Sequence, residues 1–182
     1  MEYTLRTAQA EDVPYLQQLL EVSVRSLQAG DYGPEEINAA VRTIFTVDSR
    51  LVTDGTYFVV EAPDGTFAAC GGWSRRKTLY GGDAQVEAKE PELLDPAKDV
   101  AKIRAIFVHP DHARKGLGSL VLRTAEEAAA SEGFRELEMG ATLTGYPVYL
   151  KHGYVEVERH QAPVGDGLTV EVVKMRKRIG SP

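Results

Sequence analysis

Residues Lys102–Glu127, KIRAIFVHPDHARKGLGSLVLRTAEE, contain the order of elements that decides the fold. The short apolar run Lys102–Val108 predicts a β-strand, and apolar positions from Leu117 onward recur with the period of an amphipathic helix. Between them lies a basic turn with two glycines, Arg114–Ser119. A strand that feeds a helix through such a turn presents backbone N–H groups at the positive end of the helix. This suits a phosphate or pyrophosphate, although a G-x-G turn alone also fits a plain tight connection.

The composition indicates an ordinary soluble globular protein. The chain has 182 residues, of which 43% are hydrophobic and 26% charged, and its net charge is −6. That acidic balance disfavours nucleic-acid binding, and no apolar run reaches the length of a membrane span. The one cysteine, Cys70, excludes an internal disulfide and is expected to be a buried, inert thiol. Together with an N-terminus unlike a signal peptide, it predicts a cytoplasmic location.

The remaining sequence predicts an α/β mixture in which consecutive strands need antiparallel pairing. Strands are predicted at Tyr3–Arg6, Thr56–Ala62, Thr66–Trp73, Lys102–Val108, Phe134–Ala141, Tyr154–Gln161 and Leu168–Arg176. Helices are predicted at Thr7–Leu27, Glu35–Phe45, Leu117–Ser131 and Tyr146–His152. Residues 76–99 predict an inserted loop, either a solvated excursion or the wall of a binding site. Residues 1–182 are expected to form one domain.

Two blocks of the chain resemble motifs of the GNAT superfamily of N-acyltransferases. Val108–Ser119 resembles motif A, V-x-P-x-x-x-x-[RK]-G-x-G-[ST], and Val148–Tyr154 resembles the later segment [FV]-Y-x-x-x-G-[FY]. Their order matches as well, so the resemblance covers nearly the whole chain. One position departs from the pattern, because Ala113 stands where Gln or Arg is usual. The resemblance implies an α/β (α+β) fold whose central mixed, mostly antiparallel sheet has six to seven strands, flanked by about four helices.

The resemblance also implies acetyl-CoA as the co-substrate and no metal. In this family motif A cradles the pyrophosphate of acetyl-CoA, which assigns that role to Arg114, Lys115, Gly116, Leu117, Gly118 and Ser119. The strand end whose backbone hydrogen-bonds the pantetheine arm matches Ile106, Phe107 and Val108. Members are frequently dimers, so the resemblance further implies a homodimer.

Acetyl transfer needs an acid for the departing thiolate and a base for the amine. Tyr149 matches the residue that is often the acid, and a phenol with a pKa of about 10 suits this role. The alternative is a core tyrosine, and Tyr146 is the second candidate acid. Lys102 stands where some members have a glutamate base. Glu138, a water chain or an amine that arrives deprotonated therefore remain as alternatives.

Three residues, with Asp83 as a further one, are candidates for binding the acceptor. Trp73 and Arg75 end a hairpin strand, and Arg104 lies on the strand of motif A. The arginines suit an anionic group on the acceptor, and Asp83 suits an amine. A solvated strand end is the alternative for Trp73 and Arg75, and pairing with an acidic neighbour is the alternative for Arg104.

The sequence therefore supports two functions. The first is transfer of an acetyl group from acetyl-CoA to a primary amine, expected to belong to a small molecule. The second is a catalytically silent domain of the same fold that senses CoA or an amine metabolite. A phosphate-binding scaffold unrelated to CoA is a third interpretation, which the block around Tyr149 disfavours.

Overall fold

In the computed structural model, which describes residues 2–84 and 92–180, seven strands form one mixed sheet. The strands are β1 (Thr4–Thr7), β2 (Tyr57–Glu61), β3 (Phe67–Ser74), β4 (Ala101–Val108), β5 (Glu136–Thr142), β6 (Val155–Gly165) and β7 (Leu168–Arg178). Their order across the sheet is β1-β2-β3-β4-β5-β7-β6. β4 and β5 pair in parallel, and the other neighbours are antiparallel. The expected mixed, mostly antiparallel sheet is confirmed.

Five α-helices flank the sheet in this part of the chain, one more than the sequence predicted. They are α1 (Val13–Leu27), α2 (Pro34–Ala40), α3 (Ser49–Thr53), α4 (Leu117–Ser131) and α5 (Tyr146–Lys151). Within the described ranges no helix is both long and apolar enough to cross a membrane.

The first three helices differ most from the prediction. α1 begins at Val13 rather than Thr7, because a 3-10 turn at Ala10–Asp12 precedes it and the Asp12 side chain accepts the Gln9 backbone N–H at 2.7 Å. α2 ends at Ala40, well before Phe45. The unpredicted α3 is only five residues long and depends on its cap, in which the Asp48 side chain accepts the Arg50 backbone N–H at 3.1 Å.

Apolar side chains cover both faces of the sheet. On one face Leu16 of α1 belongs to a cluster with Phe107 and Val172. Elsewhere Leu122 of α4 belongs to a second cluster with Trp73. Because both faces are buried, β3 is buried along nearly its whole length and shows no polar face.

β4 and β5 pair over a short distance and then separate. Ala101 pairs with Leu137 and Lys102 with Glu138, and among the described residues the rest of β4 has no ladder partner on β5. On its other side β4 pairs with β3 through an irregularity between Cys70 and Gly72. The sheet therefore opens between the carboxyl ends of β4 and β5, which is where the chain places its candidate site.

Candidate active site

The turn between β4 and α4 is shaped mainly by backbone conformation. The His109 side chain accepts the Asp111 N–H at 3.1 Å and caps a 3-10 turn, so His109 has a structural role. Arg114 (φ 62°) and Gly116 (φ 78°) then adopt left-handed conformations that lead into α4. A Cβ at Gly116 would meet no atom within 4 Å, so the positive φ rather than crowding favours glycine there. The free N–H groups at the start of α4 suit an anion.

An open groove, which we call the long groove, runs from this turn to the gap between β4 and β5. Its volume is about 560 Å³. Every residue predicted for the acetyl-CoA site lines it except Lys115, namely Ile106, Phe107, Val108, Arg114, Gly116, Leu117, Gly118 and Ser119. Residues that the sequence analysis did not single out also line it, among them Ser23, Leu27 and Gln28 at the end of α1, Thr142 at the end of β5, and Thr144 and Gly145 after it.

A smaller space, which we call the inner cavity, lies on the other side of the gap and has a volume of about 60 Å³. Apolar residues from β4, β5, β7 and the segment after α2 form most of its lining, including Ile44, Phe45, Ile103, Met139 and Val172. The two spaces share Ile106, Phe107, Thr142 and Tyr149. Tyr149 therefore stands where the long groove and the inner cavity meet.

The Tyr149 side chain is placed by the start of α5. A Cβ at Gly145 would lie 2.7 Å from Tyr149 Cε2, so the ring occupies space that only a glycine leaves free. Burial raises the pKa of Tyr149 to about 12. Its hydroxyl forms no hydrogen bond with the residues that the structure describes. The phenol is therefore protonated at neutral pH and able to donate to a bound molecule.

The second candidate acid, Tyr146, does not reach this meeting point. Its ring lies under the Arg159 guanidinium, 5.4 Å from ring centroid to Cζ. It lines neither the long groove nor the inner cavity. The Tyr146 ring instead contacts Arg159 of β6.

Trp73 and Arg75 are not brought to the acceptor side. Trp73 is 1% exposed and packs edge-on against Phe134 at 5.8 Å. Arg75 stacks on Trp73 at 5.0 Å and pairs with Glu132 at 2.6 Å. This placement does not favour contact with the acceptor, because their end of β3 packs towards the carboxyl end of α4.

Arg104 lines the inner cavity, but its guanidinium is already engaged. It donates to Asp48 Oδ2 at 3.1 Å and to the Thr78 carbonyl at 3.3 Å, and the Arg104 side chain is only 1% exposed. Pairing with an acidic neighbour, the alternative interpretation, is what the structure shows. Asp83 accepts the Ser49 N–H at 3.2 Å and does not line the cavity.

Glu138, one candidate base, is held in a buried charge cluster. It pairs with Lys102, and it accepts Arg176 Nε at 2.8 Å. Burial disfavours its charged form, but the hydrogen bonds from Lys102 and Arg176 outweigh burial and lower the pKa of Glu138. Glu138 lines neither space, so the structure does not place it as the base.

The inserted loop contributes to the inner cavity. Leu79, Tyr80 and Gly81 line it, whereas residues 85–91 of the predicted loop lie outside the described residues. A Cβ at Gly82 would lie 2.0 Å from the Thr46 carbonyl oxygen, so the loop packs tightly on the segment after α2. The Tyr80 hydroxyl lies 2.7 Å from His160 Nε2 on β6. These contacts fix one wall of the cavity.

Cys70 has the environment expected of an inert thiol. It is fully buried, and burial raises the pKa of its thiol to about 12. The Tyr57 hydroxyl lies 3.2 Å from its sulfur and donates to the Ala105 carbonyl at 2.6 Å. Cys70 is therefore part of the packing behind β4.

A model of the GNAT acetyltransferase family matches residues 22–154, which is most of the chain. The chain belongs to the GNAT acetyltransferase family. No curated protein sequence matches it. The resemblance of the two motif blocks is thus confirmed at the level of the family.

Solved GNAT structures share its fold at low sequence identity. A GCN5-related N-acetyltransferase from Rhodopseudomonas palustris is 19% identical, with a TM-score of 0.72 over 98% of this chain and 97% of that one. PaiA N-acetyltransferase from Thermoplasma acidophilum, in complex with coenzyme A, is 16% identical, with a TM-score of 0.65 over 98% and 100%. A GNAT acetyltransferase from Brucella melitensis, in complex with acetyl-CoA, is 15% identical, with a TM-score of 0.58 over 99% and 90%.

Proposed function

We propose that this GNAT chain transfers the acetyl group of acetyl-CoA to a primary amine of a small molecule, by direct attack of the amine on the thioester. The observation that carries the proposal is the meeting of the long groove and the inner cavity at Tyr149. A donor in the groove and an acceptor in the cavity would contact each other beside this hydroxyl. Similar structures that hold coenzyme A and acetyl-CoA support the choice of donor.

The long groove offers complementary partners along a CoA molecule. The N–H groups at the start of α4 and the Arg114 side chain suit the pyrophosphate. Among the described residues, the edge of β4 that faces the gap is unpaired beyond Lys102. An extended amide chain such as the pantetheine arm can pair with such an edge as a further strand would. The donor is thereby directed towards Tyr149.

The transfer requires few side chains. The amine nitrogen attacks the thioester carbonyl, a C–N bond forms, and the carbonyl oxygen becomes an oxyanion. The C–S bond then breaks, the CoA thiolate takes the proton of the Tyr149 hydroxyl, and the acetylated ammonium loses its proton to water. Solvent returns a proton to the phenolate. A phenol with a pKa of about 12 is readily reprotonated at neutral pH.

The inner cavity supports a small acceptor. Its volume of about 60 Å³ has room for the amine end of a small acceptor. Burial in this cavity favours the neutral amine over the ammonium, since burial lowers the pKa of an amine. An amine that enters deprotonated needs no carboxylate as a base, which agrees with the placement of Glu138 in its charge cluster.

Replacing Tyr149 with phenylalanine tests this function. We expect turnover with an amine panel, followed by release of the free CoA thiol, to fall by roughly 10²–10⁴-fold in Tyr149→Phe. Acetyl-CoA binding, measured by calorimetry, should be unchanged. Tyr146→Phe is the matched control and should retain turnover, because Tyr146 lines neither space.

The outcomes separate the alternatives. Full turnover by Tyr149→Phe would remove Tyr149 as the acid. A wild-type protein that binds acetyl-CoA but acetylates no amine of the panel would favour the sensing function. Failure of the wild-type protein to bind CoA would overturn both.

A further inference from the structure

Gln28 carries a buried polar atom that the described protein residues leave without a partner. The residue is 5% exposed. Among the buried side-chain nitrogen and oxygen atoms of the described residues, its Oε1 alone forms no hydrogen bond. A buried carbonyl oxygen without a partner destabilises a folded protein, and such groups are rare. Gln28 also lines the long groove. The unpaired atom therefore belongs to a residue of the site.

The backbone of Gln28 is fully used, which leaves the side chain as its unpaired group. Gln28 ends α1, and its N–H donates to the Val24 carbonyl at 3.1 Å. Its own carbonyl accepts the N–H groups of Asp31 and Tyr32, each at 3.1 Å. The residue is thus held rigidly at the carboxyl end of the helix.

The loop after Gln28 is anchored to the turn that precedes Tyr149. Thr144 Oγ1 donates to Asp31 Oδ2 at 2.6 Å. The Tyr32 hydroxyl accepts the Leu143 N–H at 3.0 Å. Thr144 and Tyr149 line the long groove together with Gln28. Gln28 therefore precedes a loop that is anchored beside the turn leading to Tyr149.

We propose that Gln28 is a ligand-binding residue whose Oε1 accepts an N–H group of the molecule bound in the long groove. The inference rests on the proposed function, which brings two kinds of N–H donor to this place. They are the amides of the pantetheine arm and the acceptor amine. A carbonyl oxygen selects for a donor of this type, and the bound ligand satisfies an atom that the protein itself leaves unpaired.

The change Gln28→Met tests the proposal, because it keeps the length of the side chain and removes its polar atoms. Without ligand, the variant should melt roughly 2–4 °C above the wild type, since an unpaired buried polar group is removed. With ligand, it should lose about tenfold in affinity, because the ligand N–H no longer has an acceptor. Thermal unfolding by circular dichroism and calorimetry with CoA measure the two effects.

Gln17 of the same helix provides a matched control, for which we expect the opposite change in melting temperature. Its Oε1 accepts the Val47 backbone N–H at 2.9 Å, so it is a glutamine with a structural partner. Gln17→Met should lower the melting temperature and leave the dissociation constant of CoA unchanged. The same substitution on one helix thus separates a structural glutamine from a ligand-binding one.

The readouts distinguish the two sources of the N–H group. If Gln28→Met binds CoA tenfold more weakly in the absence of amine, Gln28 contacts the pantetheine arm. If its CoA binding is unchanged but its KM for the amine is tenfold higher, Gln28 contacts the acceptor. The proposal is overturned if Gln28→Met melts below the wild type, as Gln17→Met should, or if CoA binding and amine KM are both unchanged. A wild-type protein that does not bind CoA would instead overturn the proposed function itself, and the assignment of Gln28 with it.

Discussion

The long groove and the inner cavity meet at Tyr149, but they are built in different ways. The part of the groove proposed to hold the pyrophosphate comes from the continuous stretch Ile106–Ser119, where left-handed backbone at Arg114 and Gly116 shapes the turn. The cavity takes side chains from segments far apart in the chain, including Ile44–Thr46, Leu79–Gly81 and Val172. One space is made by backbone conformation and the other by packing.

This difference has consequences for how each space tolerates change. A turn that binds with backbone N–H groups retains them when a side chain changes, which fits Ala113 at a position where Gln or Arg is usual. A cavity made of side chains changes shape with each substitution in its wall. The donor end of the site should therefore be robust and the acceptor end sensitive.

The largest effect is expected at the joint where β4 and β5 pair, beyond which the two strands separate. Glu138→Gln removes the partner of Lys102 where β4 and β5 join, and both side chains are under a tenth exposed. An unpaired buried charge should lower the free energy of unfolding by roughly 3 kcal/mol, measured by urea denaturation. Glu136→Gln is the control, since its partner Arg178 is 80% exposed and the loss should stay below about 1 kcal/mol. Equal losses in the two variants would contradict this view of the joint.

The same joint predicts how stability depends on pH. Burial disfavours the charged form of Glu138, but Lys102 and Arg176 bind that form, so its pKa lies below the ordinary value of 4.5. The folded state then releases the proton more readily than the unfolded state does. The stabilisation is present above pH 4.5 and is lost as the pH falls through the lowered pKa. Urea denaturation between pH 3 and pH 7 should show this acid-side loss in the wild type and a smaller one in Glu138→Gln.

A change in the wall of the inner cavity should impair the acceptor alone. The Cβ of Gly82→Ala would lie 2.0 Å from the Thr46 carbonyl oxygen, so the segment Leu79–Gly81 must shift. We expect kcat/KM for the amine to fall about 100-fold, because a misplaced substrate reacts slowly, while the dissociation constant of CoA stays the same. Gly30→Ala is the control, since its Cβ would meet nothing within 4 Å. A matching loss of CoA affinity would show that the two spaces are not separable.

The smallest effect is expected in the turn Arg114–Ser119. Gly116→Ala places a Cβ on a residue with φ of 78° and should lower the free energy of unfolding by about 1 kcal/mol. Gly118→Ala lies inside α4 with its Cβ 3.5 Å from Val108 Cγ2, an ordinary contact, and should raise stability by about 0.5 kcal/mol. Both changes are measured by thermal unfolding without ligand. Losses of equal size would mean that crowding, not φ, governs the turn.

The sequence-based predictions were accurate where local backbone conformation shapes the structure and failed where packing of distant segments shapes it. The turn and the strand before it were predicted nearly residue by residue, because a motif of backbone conformation is local. The base candidate Glu138 and the acceptor candidates Trp73 and Arg75 depended on which face of the sheet each side chain meets. β3 is buried on both faces, so alternation of polar and apolar residues carried no information there. Gln28 had no signal at all, since a lone glutamine at a helix end is ordinary.

The sequence by itself determined the family, the mixed sheet, the glycine turn before α4 and the block that contains Tyr149. Each of these is encoded by neighbouring residues, through glycine at a positive φ or through apolar periodicity. Only the tertiary structure decided that Arg104 pairs with Asp48, that Glu138 is held by Lys102, and that Gln28 is left unpaired beside the groove. The two ion pairs join residues tens of positions apart in the chain, and the unpaired state of Gln28 depends on the absence of any such partner. Such contacts form only when the two faces of the sheet are packed, so no local pattern records them.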